Sequence, residues 1–382
     1  MRLPQWLSSL ACGALPSRAA RLQQALQARL GAADPMRKPL LAPLQLTPML
    51  PAPQPPPIAV DVTRTLFCVL PYFNYAGFER RRQLFLEFVA RYAETPGLAL
   101  VVIEAAEAKA GQPARYDLPE QLPGVYLHFR VATQDPIWIK ECLVNVAAAR
   151  LPAGWRALAW VDADLTFLSA SWADDALRAL AGTGGQGAAE ADVLQLFATC
   201  SSLGPEGEVL KTDKGFGFQH RTSRKPYDKR GGGGYDYWHP GYAWACSRRA
   251  YEAMGGLFDL NILGSGDYHM AMAFVGLVEQ SRPDGVHPDF KRRLQEYQAR
   301  VQAAGLRLSY VKGTVVHHWH GRAADRKYVE RWEVLVAQGY SPSEDVGRNH
   351  RNGALHLTAA GKRLVPALRL YFQERAEDRR EL

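Results

Sequence analysis

The sequence predicts an α/β fold, with a mostly parallel central sheet flanked by helices and an unpacked N-terminal extension ahead of it. Three observations carry that expectation. Wholly apolar runs such as Leu98–Ile103 and Ala157–Val161 read as strands buried on both faces, the habit of parallel sheets. These runs alternate with segments of helical apolar spacing in the order strand, helix, strand, strand, helix, strand, which closes into a parallel sheet through right-handed crossovers. The run Ala157–Val161 ends abruptly in Asp162-Ala163-Asp164, and open α/β sheets bind ligands at the C-terminal tips of their strands.

The 382 residues suit one large domain or two modest ones, and 47% hydrophobic with 22% charged residues is the composition of a globular chain that buries a full core. A net charge of +8 suits an anionic ligand without implying nucleic acid. Cys12, Cys68, Cys142, Cys200 and Cys246 contain no C-x-x-C pair, so a reducing, cytoplasmic setting is expected rather than a disulfide scaffold or zinc knuckle. No stretch approaches the roughly 18 uninterrupted apolar residues of a spanning helix. Residues 1–34 are basic, with Leu22, Leu26 and Leu30 at four-residue spacing. They read as an amphipathic segment for a membrane surface, an organellar transit segment or a dispensable extension. Prolines recur through 35–60, the composition of an extended linker.

After the linker, Thr65–Leu70 is the first expected strand, stopped by Pro71. Leu84, Phe85, Phe88, Val89 and Tyr92 mark the buried stripe of the following helix. Leu98–Ile103 ends in a lone acid, Glu104, placed to accept hydrogen bonds from a nucleoside or to sit solvated at a strand end. A short strand at Val125–Phe129 and a helix striped by Ile139, Leu143, Val146 and Ala147 lead into the strand that carries Asp162 and Asp164. Residues two apart on an extended chain face the same way, so both carboxylates are expected to reach one divalent cation and the phosphates it carries. No G-x-G-x-x-G lies between the first strand and its helix, and no G-x-x-x-x-G-K-[ST] occurs, which argues against a dinucleotide fingerprint or a P-loop and leaves phosphates held by a cation.

Val193–Phe197 reads as a further strand. Lys211–Tyr235 is polar, basic and glycine-rich, and is expected to be a long mobile loop without a packed core, either a lid over an anion or plain disorder. Its cations have few aromatic neighbours, which argues against nucleic acid. The aromatic run Tyr237–Ala245 leads into an apolar strand, its rings suited to stacking on a sugar or to filling a core. Ser247 caps a short helix closed by Gly255-Gly256. Gly264-Ser265-Gly266-Asp267 sets a carboxylate at a helix start, as an N-cap or as a general base beside a cation. Val311–Val316 ends in His317-His318-Trp319-His320, and neutral imidazole is a ready cation ligand. In an extended chain His317 and Trp319 would face one side, His318 and His320 the other. Residues 326–339 and the segment around Tyr371-Phe372 read as amphipathic surface helix.

Taken together, these features resemble a GT-A glycosyltransferase over roughly residues 64–330, most of all the metal-dependent inverting galactosyl- and N-acetylgalactosaminyltransferases. There a helix with lysine and asparagine precedes the D-x-D strand, as Lys140–Val146 precedes Trp160–Asp164 here. Gly241–Ala245 and Gly255-Gly256-Leu257-Phe258 echo their glycine-bearing strand and G-G-phenylalanine turn, while their W-G-G-E-D block is Leu263-Gly264-Ser265-Gly266-Asp267 here, with one acid instead of two. The resemblance implies a GT-A domain over 61–340 and a helical extension at 341–382. It implies transfer of a sugar from a nucleoside diphosphate, taken as UDP, to a glycan or other hydroxyl acceptor with inversion. Mn²⁺ or Mg²⁺ would sit on Asp162, Asp164 and a late histidine, His317 first and His320 as the alternative. Pro71, Phe73 and Glu104 would line the nucleoside pocket, Lys140 and Asn145 would face donor or sheet, and Asp267 would be the catalytic base. Trp238, Tyr242 and Trp244 would shape the acceptor side. The alternatives are a metal-dependent phosphohydrolase and a non-catalytic sugar- or nucleic-acid-binding module on the same fold.

Overall fold

The computed structural model describes residues 59–381 apart from 110, 182–190 and 224–237. The basic segment 1–34, the linker up to residue 58 and residues 224–235 of the expected loop lie outside the described residues.

β1 (Leu66–Phe73) crosses through α1 (Glu79–Tyr92) to the parallel strand β2 (Leu98–Glu107), which β3 (Leu127–Thr133) extends; α2 (Lys140–Ala148) then returns the chain to β4 (Ala157–Val161) on the other side of β1. Apolar runs without alternation bury both faces. Leu66, Cys68 and Leu70 pack with Phe85, Phe88 and Val89 of α1, whereas Phe67 and Val69 pack in the core that holds Cys142, Leu143 and Val146 of α2. β1 does not stop at Pro71. The Leu66 N–H donates to Gly97 O beside β2, so by alternation Pro71 faces β4, where pairing has already ended at Val69 and a missing N–H breaks no ladder.

The chain continues through β5 (Leu165–Phe167), α3 (Trp172–Ala181), β6 (Val193–Gln195), β7 (Thr199–Leu203), β8 (Val209–Gly215) and α4 (Phe216–Thr222). Then come β9 (Trp238–His239), β10 (Ala243–Ser247), α5 (Arg248–Met254), α6 (Gly266–Phe274), α7 (Pro288–Ala303), β11 (Leu308–Tyr310) and β12 (Thr314–His317). Among the described residues the main sheet runs β11-β6-β10-β4-β1-β2-β3, with β10 antiparallel to both neighbours, and a second sheet runs β5-β12-β7-β8-β9. α5 has the expected ends: Ser247 Oγ accepts from Ala250 N–H at 3.2 Å and Gly255 closes the helix at φ +73°. No helix among the described residues is long and apolar enough to cross a membrane.

Three further expectations need correcting. Residues 211–223 are not an unpacked loop, because they form most of β8 and all of α4. One buried ring anchors this polar stretch: Phe216 is fully buried against Trp238, and Gly217 N–H donates to Gln195 Oε1 at 2.9 Å. Segment 341–381 is not a surface helix either. After α8 (Arg331–Ala337) and α9 (Pro342–Asp345), β13 (Val346–Arg348) pairs with β14 (Leu355–Leu357), and α10 (Val365–Glu374) buries Leu368, Tyr371 and Phe372 in the core that contains Phe73. Trp244 does not face an acceptor. It is fully buried and its indole N–H donates to Pro240 O at 2.9 Å, the usual fate of a core tryptophan. Trp244→Ala is expected to cost about 3–5 kcal/mol, read as a fall in the urea midpoint; an unshifted midpoint would return Trp244 to the surface.

Candidate active site

β4 ends at Val161, and after a turn the chain enters β5, which pairs antiparallel with β12 in the register Leu165–His317 and Thr166–Val316. His318 N–H donates to Asp164 O at 2.9 Å, so backbone pairing brings Asp164 to histidines that are remote in sequence. Asp164 Oδ2 lies 2.9 Å from His320 Nε2 and 3.6 Å from His317 Nε2, and the two imidazole nitrogens are 3.2 Å apart. One ligand atom from each residue falls within 4.8 Å of the others. β12 stops at His317, so strand alternation does not govern 318–320. His317 and His320 converge on Asp164, while His318 turns to Thr166 Oγ1 at 2.7 Å. Tyr242 forms the wall: its ring stacks on His317 at 4.8 Å and 13°, and lies 4.2 Å from His239. It holds φ +83°, a costly conformation for a residue with a Cβ, and its carbonyl accepts from Asp162 N–H at 2.9 Å.

The donor set fits a divalent cation. Burial by itself raises the Asp164 carboxyl, but His317 and His320 outweigh it and hold the group well below the usual carboxylate range. Burial pushes His317 down to about 4 against the pull of Asp164, leaving the ring neutral near pH 7. Arg326 Nη2 lies 2.8 Å from His320 Nε2, and a guanidinium can only donate, so a cation would take that nitrogen's lone pair in place of Arg326. Asp164 Oδ1 is buried without a hydrogen-bond partner. Lone pairs that converge beside an orphaned oxygen are what a bound cation would satisfy.

Asp162 belongs to a different group. Residues 162–164 leave the strand in a turn, and Lys140 at the start of α2 claims Asp162: its Nζ lies 2.6 Å from Asp162 Oδ1 and 2.8 Å from Asp267 Oδ2. The expectation that both D-x-D carboxylates share one cation is thereby corrected; among the described residues the metal-competent group is Asp164, His317 and His320. Asp267 sits in the first turn of α6 and is not its cap, a position taken by Ser265 at φ +76°. Burial would lower Lys140, but Asp162 and Asp267 raise it above its ordinary value. Asp162 is pushed up to about 6 by burial, against the pull of Lys140. Glu141 completes the cluster. Its carboxyl fills the space a Cβ on Gly266 would need, at 2.1 Å, and burial with the neighbouring Asp267 pushes it up to about 8.

Asn145 proves to be structural: its amide donates to Leu257 O and Asp259 Oδ2, and its oxygen accepts from Leu257 N–H and the Tyr251 hydroxyl, pinning the Gly255-Gly256 turn. Glu104 is 1% exposed; its Oε1 accepts from the backbone N–H groups of Asp117 at 2.6 Å and Leu118 at 2.9 Å, and its buried Oε2, which has no hydrogen-bond partner, lies 3.5 Å from Arg130 Nε and 3.6 Å from His128 Nε2. Phe73 packs against Trp138 and Phe372 in the core, and Pro71 stays half-buried. Trp238 is buried against Phe216. Glu141 and Arg326 were not anticipated; for Glu141 the only signal was its place beside Lys140 at a helix start.

No protein-family model matches the chain, and no curated protein matches it. Among solved structures it is similar to the catalytic domain of Drosophila beta1,4galactosyltransferase 7, at 12% identity over 80% of this chain and 99% of that one, TM-score 0.34. It is also similar to a mannosyltransferase from Pyrobaculum calidifontis, at 15% identity over 84% of this chain and 73% of that one, TM-score 0.36. A glucosyl-3-phosphoglycerate synthase from Mycobacterium tuberculosis shares 13% identity over 77% of this chain and 87% of its own, TM-score 0.29. With TM-scores this low, the likenesses decide nothing about the activity.

A carboxyl raised on folding stabilises the fold below its ordinary value and loses that contribution as pH rises through the folded one. Glu141 is therefore expected to make the protein less stable between pH 4.5 and about 8. Thermal midpoints across that range should fall less steeply in Glu141→Gln; an unchanged slope would remove Glu141 from the cluster.

Proposed function

We propose that this chain is a metal-dependent glycosyltransferase of the GT-A type, moving a sugar from a uridine diphosphate donor to a hydroxyl acceptor with inversion. What carries the reading is the adjacency of two unlike groups beyond the tip of β4: the convergent lone pairs of Asp164, His317 and His320, and the carboxylates of Asp162 and Asp267 bridged by Lys140. A cation on the first group would supply Lewis-acid stabilisation of the charge that gathers on a diphosphate leaving group. Two imidazole donors favour Mn²⁺ over Mg²⁺, which prefers oxygen.

The chain's own residues supply the rest. Lys140 fixes Asp267 through Oδ2, which leaves Oδ1 to take the proton of the attacking hydroxyl, and the side chain keeps 16% exposure for an acceptor to reach it. Asp162, 29% exposed beside it, is available to a donor hydroxyl. Pro71 remains the candidate for the nucleoside at the tip of β1, Phe73 and Glu104 being enclosed by protein. The catalytic domain would run from residue 61 through 341–381, because the latter segment shares its core.

Thermal-shift measurements on a panel of nucleoside diphosphate sugars should show Mn²⁺-dependent stabilisation by a UDP sugar, lost in Asp164→Asn. Asp267→Asn should keep that stabilisation while transfer falls about 10²–10⁴-fold. Absence of cation-dependent stabilisation by every donor would overturn the reading, and donor consumption at the same rate without acceptor would point to a phosphohydrolase.

A further inference from the structure

His320 has two ring nitrogens, and the structure gives each a different neighbour. Nε2 lies 2.8 Å from the Arg326 guanidinium, which can only donate, and 2.9 Å from Asp164 Oδ2, which can only accept, so the ring proton sits on Nδ1 whenever Nε2 gives its lone pair to Arg326 or to a cation. Nδ1 lies 3.5 Å from Glu377 Oε2, a carboxylate only 1% exposed. Glu377 is held in turn by Arg81, whose Nε donates to Oε2 at 2.8 Å, and by Arg375, whose Nε donates to Oε1 at 2.7 Å.

The surrounding backbone locks the same geometry. Asp378 accepts from the N–H groups of Glu79 at 3.2 Å and Arg80 at 2.7 Å, tying segment 375–379 to the start of α1. Arg80 Nε donates to Trp319 O at 3.0 Å, and Trp319 Nε1 donates to Arg379 O at 2.7 Å, so the histidine loop is stitched to both. Gly321 at φ +82° lets the two backbones close; a Cβ there would meet Ala376 O at 2.8 Å and Glu377 Cα at 3.2 Å. Within segment 375–379 the buried Glu377 carboxylate, held by Arg81 and Arg375, also lies against the His320 imidazole.

We propose that Glu377 is the carboxylate that orients His320 for the cation, which makes segment 375–379 a working part of the metal centre. Metal-ligating histidines commonly donate their second N–H to a carboxylate, which fixes the tautomer and raises ligand basicity. The inference rests on the metal reading of Asp164, His317 and His320 given above, and the experiment separates the two. Mn²⁺ affinity is measured on the full chain by electron paramagnetic resonance of free Mn²⁺. Glu377→Gln is expected to bind Mn²⁺ about 10–100-fold more weakly while its circular dichroism stays that of the unmodified chain. If Glu377 were merely structural, the thermal midpoint would fall and the Mn²⁺ affinity would hold.

An unmodified chain that binds no Mn²⁺ would sink the metal reading and this inference with it. If it binds and Glu377→Gln binds equally well, the metal reading stands and Glu377 loses its role. Should Glu377→Gln fail to fold, hydrogen exchange of the unmodified chain decides. Coupling is reciprocal, so Mn²⁺ must slow the amides of 376–379 if that segment strengthens Mn²⁺ binding. Exchange there that ignores Mn²⁺ would overturn the proposal.

Discussion

The antiparallel pairing of β5 with β12 is the constraint on which the site depends. β4 belongs to the main sheet and β5 to the second, and only the turn at residues 162–164 separates them. The register Leu165–His317, with the bond from His318 N–H to Asp164 O, fixes where that turn meets the histidines. A slip of one residue would turn the side chains of the whole strand to the other face and take His317 out of the group. Asp164 and His317 are thus set by main-chain pairing, and His320 by the loop that follows β12.

Within that frame, two carboxylates two residues apart meet opposite electrostatic fates. Asp162 is pushed up by burial and answered by Lys140, and Asp164 is held down by the imidazoles. Separating neighbouring titratable groups in this way is how one site holds different protonation states at one pH. A buried lysine carries a heavy desolvation cost unless it is paired, and Lys140 is paired twice. Glu141, raised by burial and by Asp267, relieves the excess negative charge of that group by taking a proton. Beside this cluster, Asp164, His317 and His320 converge on a common point, with the Arg326 guanidinium against His320 Nε2.

The sheet was legible because its strands are buried on both faces: β1, β2 and β4 are uninterrupted apolar runs, and the caps of α5 are local chemistry that Ser247 and Gly255 spell out. The reading failed where a local rule was carried past its range. Alternation predicted one shared cation for Asp162 and Asp164, and opposite faces for His317 and His320, but residues 162–164 and 318–320 lie where the strands have ended. Composition made 211–223 a loop, since a single phenylalanine at 216 leaves no periodic trace while still anchoring a helix. Glu104, Asn145 and Trp244 have the residue types of a binding site and the partners of a core. Glu377 left no signal at all, because its contacts with Arg81 and His320 join segments far apart in the chain.

The most direct measurement is the anomalous difference density of crystals soaked in Mn²⁺. The account predicts a single ordered ion bonded to an Asp164 carboxylate oxygen, His317 Nε2 and His320 Nε2, with Lys140 still bridging Asp162 and Asp267. An ion held by Asp162 or Asp267 instead, or no ordered ion among the three residues at saturating Mn²⁺, would contradict it.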